Sequence, residues 1–231
     1  KFLLALLNSK LISFYYFSKF GEKSKKVFPH LRQESLLQLP IHTINFTNPS
    51  EKAIHDQLIA LINAMLSTNQ KLNSIHVNFY EMARITSATE MLKTTTHCLV
   101  LSETKRKSRE LAVDYYENRY LIVKDDGESI LRIAFDDTIT KRYVKLYLES
   151  MPADEINKGT GRLSIRIQNL KIHGLNSIEY QKTILKEYDA KVKEREDLIK
   201  LRDETGRDID QKVYELYALT EEEIEIVEKS L

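Results

Sequence analysis

The 231-residue sequence has little cysteine, no long apolar run and almost no net charge. Its single cysteine, Cys98, excludes an internal disulfide framework and a cysteine-rich zinc site, and it fits a reducing compartment. We interpret Cys98 as a small buried hydrophobe. With 35 Lys+Arg against 34 Asp+Glu, the net charge is +1, so any nucleic-acid partner has to be argued from where the charges lie.

A membrane span is also missing, although the sequence opens on an apolar stretch. The uninterrupted apolar run extends from Phe2 to Leu7, whereas a span needs about 20 residues. The hydrophobic content of 42% is enough for a buried core, so we expect a globular cytoplasmic protein. The sequence starts without Met on a helix-like pattern, and we expect it to be a fragment of a longer polypeptide.

Catalytic motifs are absent as well. Gly159 and Gly161 lack the preceding strand and third glycine of a dinucleotide-binding loop, which favours a plain turn. Neither Asp114 with Lys124 nor Asp137 with Lys141 has the spacing of a two-carboxylate nuclease site. The histidines show no metal-ligand spacing; they are His30, His42, His55, His76, His97 and His173. No catalytic or metal residue is therefore predicted, although an unfamiliar nuclease using Asp136 and Asp137 stays open.

Helical periodicity marks the first 74 residues. Apolar residues recur at three and four positions from Phe2 onward, which predicts an amphipathic helix ending near Gly21. Residues 35–45 predict a short helical turn broken by Pro40. Asn48 followed by Pro49 and Glu51 is typical of a helix start with a capping box, and this helix should run to about Asn73.

Residues 75–174 have a different pattern, rich in β-branched and aromatic residues. A helix is predicted over 80–91, and strands over 97–102, 111–116, 119–124, 129–135, 142–148 and 162–167. The run Asp125-Asp126-Gly127-Glu128 indicates a hairpin turn between two of these strands. This block should form a small, mostly antiparallel sheet.

The helical pattern returns after Asn176, with heptad-like apolar positions separated by mixed charges. We expect a long helix over 176–204 that pairs antiparallel with the helix of 50–73, a break at Gly206, and a final helix capped by Thr220 and Glu223. The fold class predicted is α+β: a helical recognition-domain remnant, a long antiparallel helix pair and an inserted β-rich subdomain. The segments are 1–74, 75–175 and 176–231.

Three blocks of this sequence carry a resemblance to a known family. They are the helix at 2–17 with its Leu-Asn-Ser-Lys-Leu core, the stretch from Phe28 to Met65 with Arg-Gln-Glu-Ser-Leu and Leu-Pro-Ile, and the closing segment 208–227. Together they resemble the C-terminal specificity domains of TaqI-like type IIG restriction-modification enzymes. About 100 residues intervene here where the family has a short connection.

The resemblance implies recognition of a double-stranded DNA sequence, with no chemistry in this fragment. It also implies upstream domains: an adenine-N6 DNA methyltransferase that uses S-adenosylmethionine, and a nuclease that needs Mg²⁺. Neither cofactor is expected in this fragment, which lacks the Asn-Pro-Pro-aromatic motif that holds a flipped adenine. The alternative is a structural spacer or dimerisation module, as in type I specificity subunits, which would make the protein a homodimer.

DNA contact requires Lys and Arg side chains to neutralise phosphates, and three basic clusters qualify. The first lies beside the opening helix, the second between two predicted strands, and the third on one face of the last predicted strand. Their members are Lys23, Lys25, Lys26 and Arg32; Lys105, Arg106, Lys107 and Arg109; and Lys158, Arg162 and Arg166. A solvated surface is the alternative for each. We predict that Lys105→Ala combined with Arg106→Ala weakens DNA binding while leaving folding intact.

Overall fold

The computed structural model describes residues 1–20, 33–103, 107–108 and 110–230. In chain order its elements are α1 (Phe2–Asn8), α2 (Lys10–Phe20), α3 (Gln33–Leu36), α4 (Pro49–Ser74), α5 (Phe79–Ala83), β1 (Thr89–Met91), α6 (Leu92–Thr95), β2 (His97–Val100), β3 (Leu111–Tyr116), β4 (Tyr120–Asp125), β5 (Glu128–Ala134), α7 (Thr138–Ser150), α8 (Ala153–Ile156), α9 (Leu163–Gln168), β6 (Lys171–His173), α10 (Ile178–Leu216) and α11 (Glu221–Ser230). These helices and small antiparallel sheets confirm the α+β class.

The chain divides into two compact units. Residues 76–193 form the first, which we name the inserted unit. Residues 1–75 and 194–231 form the second, which we name the terminal unit because it contains both ends of the described chain. The second division falls inside α10, whose first turns belong to the inserted unit and whose remainder belongs to the terminal unit.

Four antiparallel strands form the main sheet of the inserted unit, in the spatial order β2-β5-β4-β3. The four strands predicted between residues 97 and 135 are confirmed, with small shifts at their ends. The hairpin turn between β4 and β5 is confirmed too. Asp126 and Gly127 have φ values of 55° and 79°, and a two-residue turn of this kind requires positive φ at both positions.

One face of the main sheet is buried against α7. Leu121 and Ile133, paired across β4 and β5, are both 0% exposed. From α7, Tyr143 and Tyr147 enter the same core, and the Tyr143 hydroxyl donates to the His173 carbonyl at 2.8 Å. Burial raises the pKa of both tyrosines, so they stay neutral and serve packing.

The strands predicted at 142–148 and 162–167 are wrong, because these residues form α7 and α9. The buried residues of α7 recur at spacings of three and four, which is the helical period, and β-branched content misled the prediction. Asp137 caps this helix, its Oδ1 accepting from Thr140 N at 2.6 Å. The helix predicted over 80–91 is also wrong, since α5 ends at Ala83 and residues 89–91 form a strand.

The core of the terminal unit joins α4 to the last part of α10. Leu58 and Ile62 of α4 cluster with Ile209, Val213 and Leu216 of α10. Residues 57–61 lie beside 208–212, and Met65 lies near Gly206, so the two helices run antiparallel as predicted. The paired part of α10 lies further along the chain than predicted, and the predicted break at Gly206 is wrong. A helix tolerates one glycine at a cost of about 1 kcal/mol when packing holds it.

The prediction of a single opening helix is also wrong, because α1 ends and α2 begins around Ser9. Ser9 is extended at ψ 151° and buried, and its hydroxyl donates to the Leu6 carbonyl at 2.7 Å. The same hydroxyl accepts from Ile12 N at 3.4 Å. Serine thus replaces a helical backbone bond with local side-chain bonds, which bends the chain. The predicted end near Gly21 lies outside the described residues.

Both predicted N-caps are present in the terminal unit, but the capping box predicted at Asn48 is wrong, because Glu51 accepts from Asn45 N at 2.9 Å and Asn48 N donates to the Asn45 carbonyl. Asn48 Oδ1 accepts from Ser50 N at 3.0 Å, and the α4 start is confirmed. Thr220 Oγ1 accepts from Glu223 N at 3.3 Å while Glu223 Oε2 accepts from Thr220 N at 2.9 Å, which is a reciprocal capping box for α11. Within the described ranges, no helix is both long enough and apolar enough to cross a membrane.

Candidate nucleic-acid interface

The basic residues predicted to contact DNA fall into two groups in the structure. Some lie outside the described residues: Lys23, Lys25, Lys26, Arg32, Lys105, Arg106 and Arg109. Others are placed in the inserted unit: Lys107, Lys158, Arg162 and Arg166. The geometry of a candidate interface therefore rests on this second group.

Side-chain bonds at Ser108, which directly follows Lys107, bring Lys107, the one described residue of the second cluster, close to the third cluster. The Asn157 Oδ1 atom accepts from Ser108 N at 2.7 Å, and Asn157 Nδ2 donates to the Ser108 carbonyl at 3.3 Å. The Ser108 hydroxyl donates to Asp125 Oδ1 at 2.8 Å, where Asp125 is buried at the end of β4. These bonds hold Ser108 beside the start of the 158–166 segment. We name this surface the basic corner; it comprises Lys107, Lys158, Arg162 and Arg166.

The residues of the third cluster do not alternate along a strand, which corrects the sequence prediction. Lys158 lies in the loop after α8, Arg162 directly precedes α9, and Arg166 lies within that helix. They come close because a loop and one helical turn fold onto each other. Arg166 Nη1 donates to the Gly161 carbonyl at 2.9 Å, so its guanidinium shapes the loop.

Carboxylates compensate part of the positive charge at the basic corner. Lys158 Nζ lies 2.5 Å from Glu155 Oε1, and Arg162 forms an ion pair with Glu103. The side chains of these pairs are 32–67% exposed. Exposed ion pairs contribute about 0–1 kcal/mol, so a phosphate can replace either carboxylate at little cost.

The loop of the basic corner has two glycines in conformations that favour glycine. Gly159 and Gly161 have φ values of 90° and 106°, and a Cβ at either position would meet no described atom within 4 Å. The loop follows α8 and precedes the six-residue α9, so it lacks the strand-loop-helix order of a dinucleotide-binding motif. Its exposed backbone is a surface that a nucleic-acid chain can approach closely.

Sequence reasoning missed a second surface, on the face of the main sheet opposite α7. His97, Tyr120, Arg132 and Ala134 alternate along their strands with buried residues, so their side chains lie on this outer face. The Arg132 guanidinium lies 5.0 Å from the centroid of the Tyr120 ring. The alternation of buried and polar residues in 129–134 is the signal in the sequence that places Arg132 on the outer sheet face.

Cys98, Asp136 and Asp137 are not assembled with metal ligands into a site among the residues that the structure describes. In those ranges no group of three or more His, Cys, Asp or Glu side chains could hold a metal ion. Burial raises the pKa of the Cys98 thiol, which disfavours a reactive thiolate. Asp136 forms a 2.7 Å ion pair with Arg119 and Asp137 caps α7, so both carboxylates have structural partners.

The opening residues match a family model, the TaqI-like C-terminal specificity domain, over residues 1–41. The chain matches no curated protein. It also matches no solved structure. A specificity domain of this family indicates DNA-sequence recognition in a restriction-modification enzyme, with DNA binding and linkage to methyltransferase domains.

The matched segment includes α1, α2 and α3 and is bonded to the other end of the chain within the terminal unit. Lys10 N donates to Asp210 Oδ1 at 2.8 Å, and Lys10 Nζ forms an ion pair with Glu228. The Tyr217 hydroxyl donates to the Pro40 carbonyl at 2.7 Å and accepts from His42 N at 3.0 Å. The Leu-Asn-Ser-Lys-Leu core therefore has a structural role, since Ser9 bends the chain and Lys10 anchors it.

Proposed function

We propose that this chain supplies sequence-specific recognition of duplex DNA to a restriction-modification enzyme, and that the chemistry resides in other domains of the polypeptide. The observation that carries this proposal is the family match over residues 1–41. The basic corner supports it independently, because Lys107 lies beside the segment of Lys158 and Arg162 although they are far apart in sequence.

In this proposal the basic corner binds DNA phosphates and orients the duplex. Lys107 and Lys158 are exposed, and Arg162 can exchange Glu103 for a phosphate oxygen. Phosphate contacts give affinity and register, whereas base-edge contacts give sequence preference. The basic residues at 23–32, which lie in the matched segment, remain candidates for contacts next to the bases.

The proposal also includes partners that the chain itself does not contain. An upstream methyltransferase would transfer a methyl group from S-adenosylmethionine to adenine N6, and an Mg²⁺-dependent nuclease would cleave the DNA. The described part of this chain has neither the glycine loop nor the carboxylate cluster for these cofactors.

Duplex binding as a function of salt tests the proposal directly. We expect the full chain to lose duplex affinity steeply as salt rises, because each bound phosphate releases counterions. Replacing Lys158 and Arg162 together by alanine should reduce the slope of log affinity against log salt by about 1 per lost phosphate contact. A matched control replaces Lys186 and Lys191, which are exposed on α10. Equal slopes for both double variants would remove the basic corner from the DNA site.

A spacer or dimerisation module is the second candidate, and exposed apolar residues on the long helices favour it. Leu66 of α4 and Leu201 of α10 are 46% and 47% exposed. Such side chains are available for packing against a second copy. Sedimentation measures whether the mass of the protein increases with its concentration. An increase that is lost in the Leu66→Glu variant, together with no DNA binding by the unchanged chain, would favour this function over the first.

A further inference from the structure

The outer face of the main sheet contains a narrow slot whose floor is the small residue Ala134. Ala134 pairs with His97 of β2 on one side and with Tyr120 of β4 on the other. Both neighbours have rings while Ala134 has one methyl group, so a depression of about 320 Å³ lies between them. The two flanking strands are about 9.5 Å apart, which is twice the strand spacing.

Two rings that sandwich one base lie about 6.8 Å apart, which is twice the stacking distance, and the spacing of these strands leaves room for that. Stacked bases take up about 3.4 Å each along a strand of DNA. A single base can therefore stack between the His97 and Tyr120 rings, whereas a base pair inside a duplex is stacked on both sides by its own neighbours. The shape of the slot favours an unpaired base.

Charge at the slot favours a phosphate next to that base. Arg132 stacks on Tyr120 and, within the described part of the chain, forms no ion pair with a carboxylate. Stacking leaves the N–H groups at the edge of the guanidinium available for a phosphate. Arg119 also lines the slot, and its ion pair with Asp136 is 61% and 87% exposed, so it can exchange partners.

From these observations we propose that the slot binds an unpaired nucleotide of single-stranded DNA. The base stacks between His97 and Tyr120 over Ala134, where it replaces the Arg132 guanidinium on the Tyr120 ring, and the displaced Arg132 binds the adjoining phosphate together with Arg119. Binding is tolerant of base identity, because stacking uses the ring faces and not the base edges. The choice of DNA over RNA rests on the proposed function.

The site lies apart from the basic corner on the same sheet. The slot is at the start of β4, and the Ser108–Asp125 bond of the basic corner is at its end, five residues or about 17 Å further along the strand. Single-strand and duplex binding can therefore be separated by substitution.

Fluorescence anisotropy of labelled oligo(dT) with the full chain tests the inference. Tyr120→Leu removes one stacking ring, Arg132→Gln removes the phosphate partner, and Ala134→Leu fills the slot while keeping both. Tyr120→Leu and Ala134→Leu should each weaken oligo(dT) binding about 30-fold, the middle of the range for loss of one stacked base, and Arg132→Gln should weaken it by loss of the phosphate contact. Lys124→Gln is the control, because Lys124 lies on the same face but is paired with Asp114 at 2.6 Å.

Duplex binding by the same variants separates the two proposals. We expect the three slot variants to keep duplex affinity and the variant of Lys158 and Arg162 to keep oligo(dT) affinity. Unchanged oligo(dT) binding in all three folded slot variants would overturn the inference. Equal binding of oligo(U), or displacement of oligo(dT) by thymidine monophosphate at equal nucleotide concentration, would overturn the assignment to a DNA strand.

Discussion

The two units of this protein obtain their cores in different ways. The core of the inserted unit comes from one continuous stretch of the chain. Its four-stranded antiparallel sheet and α7 enclose a cluster of aliphatic residues and tyrosines. The terminal unit uses helices from both ends of the chain, and its smaller cluster joins Leu6 and Leu58 to Val213. Contacts between chain segments about 200 residues apart, such as Lys10 with Asp210, hold it together.

The family match and the two candidate binding surfaces lie in different units. The family match falls in the terminal unit, where its motif residues bend and anchor helices. Both candidate binding surfaces described above lie in the inserted unit, which the match does not cover. Both candidate surfaces therefore belong to a part of the chain that lies between the two segments of the terminal unit.

The largest expected effect comes from deleting core volume in one unit at a time. Leu121→Ala and Leu58→Ala each remove a side chain that is 0% exposed, and each should lower the free energy of unfolding by about 2–5 kcal/mol. Hydrogen exchange read by mass spectrometry should lose protection in residues 76–193 for the first variant and in 1–75 and 194–231 for the second. Equal losses in both units would show that they unfold as one.

Replacing one glycine by alanine should destabilise the inserted unit, whereas replacing another should stabilise the terminal unit. Gly174 has φ 66°, and a Cβ there would lie 2.1 Å from Tyr180 Cδ1, so Gly174→Ala should destabilise the inserted unit by about 1–3 kcal/mol. Gly206 lies within α10, and its Cβ would meet Met65 Cε at 3.8 Å, so Gly206→Ala should stabilise the terminal unit by about 0.5–1 kcal/mol. Urea midpoints measure both, and destabilisation by Gly206→Ala would contradict the helical packing.

Asp210 offers a smaller, pH-dependent test of the long-range closure in the terminal unit. Asp210→Ala removes the acceptor for Lys10 N and should cost about 1 kcal/mol, as loss of a helix cap does. Asp210→Asn keeps an acceptor oxygen and should cost less. Burial raises the pKa of the Asp210 carboxyl, so folding favours its protonated form.

The sign of the pH effect follows from that raised pKa. The stability contributed by the protonated carboxyl is fully present below its unfolded pKa and is lost as pH rises through the higher folded pKa. Thermal melts at several pH values should therefore show Asp210→Asn gaining stability relative to the natural protein as pH rises through this window. A difference that is constant with pH would mean that Asp210 is not titrated on folding.

Local signals in the sequence predicted much of the fold. Asn48 and Thr220 marked helix starts because capping depends on residues within one turn. The Asp126-Gly127 turn and the alternation around Leu121 and Ile133 predicted the hairpin for the same reason. The prediction failed for α7 and α9, where β-branched and aromatic residues favoured strands although the apolar spacing was helical.

The candidate sites were less predictable. Lys158, Arg162 and Arg166 were identified from their charge, but a strand was assumed where the chain forms a loop and a helical turn. The bond between Ser108 and Asn157, which brings Lys107 close to Lys158, joins residues 49 positions apart and leaves no periodic signal. The sequence does not indicate a site at Arg132, because only the register of β4 and β5 shows that Tyr120 and Ala134 lie beside it.

By itself, the sequence determined the α+β class, the helix starts, the hairpin and the resemblance of the opening residues to a DNA-specificity family. These features depend on residues close together in the chain, through caps, turns and the period of apolar residues. Tertiary structure alone decided that Gly206 lies inside a continuous helix, that Ser108 is bonded to Asn157, and that His97, Tyr120 and Arg132 surround Ala134. Each of these depends on packing between distant segments, where burial and register outweigh local preference.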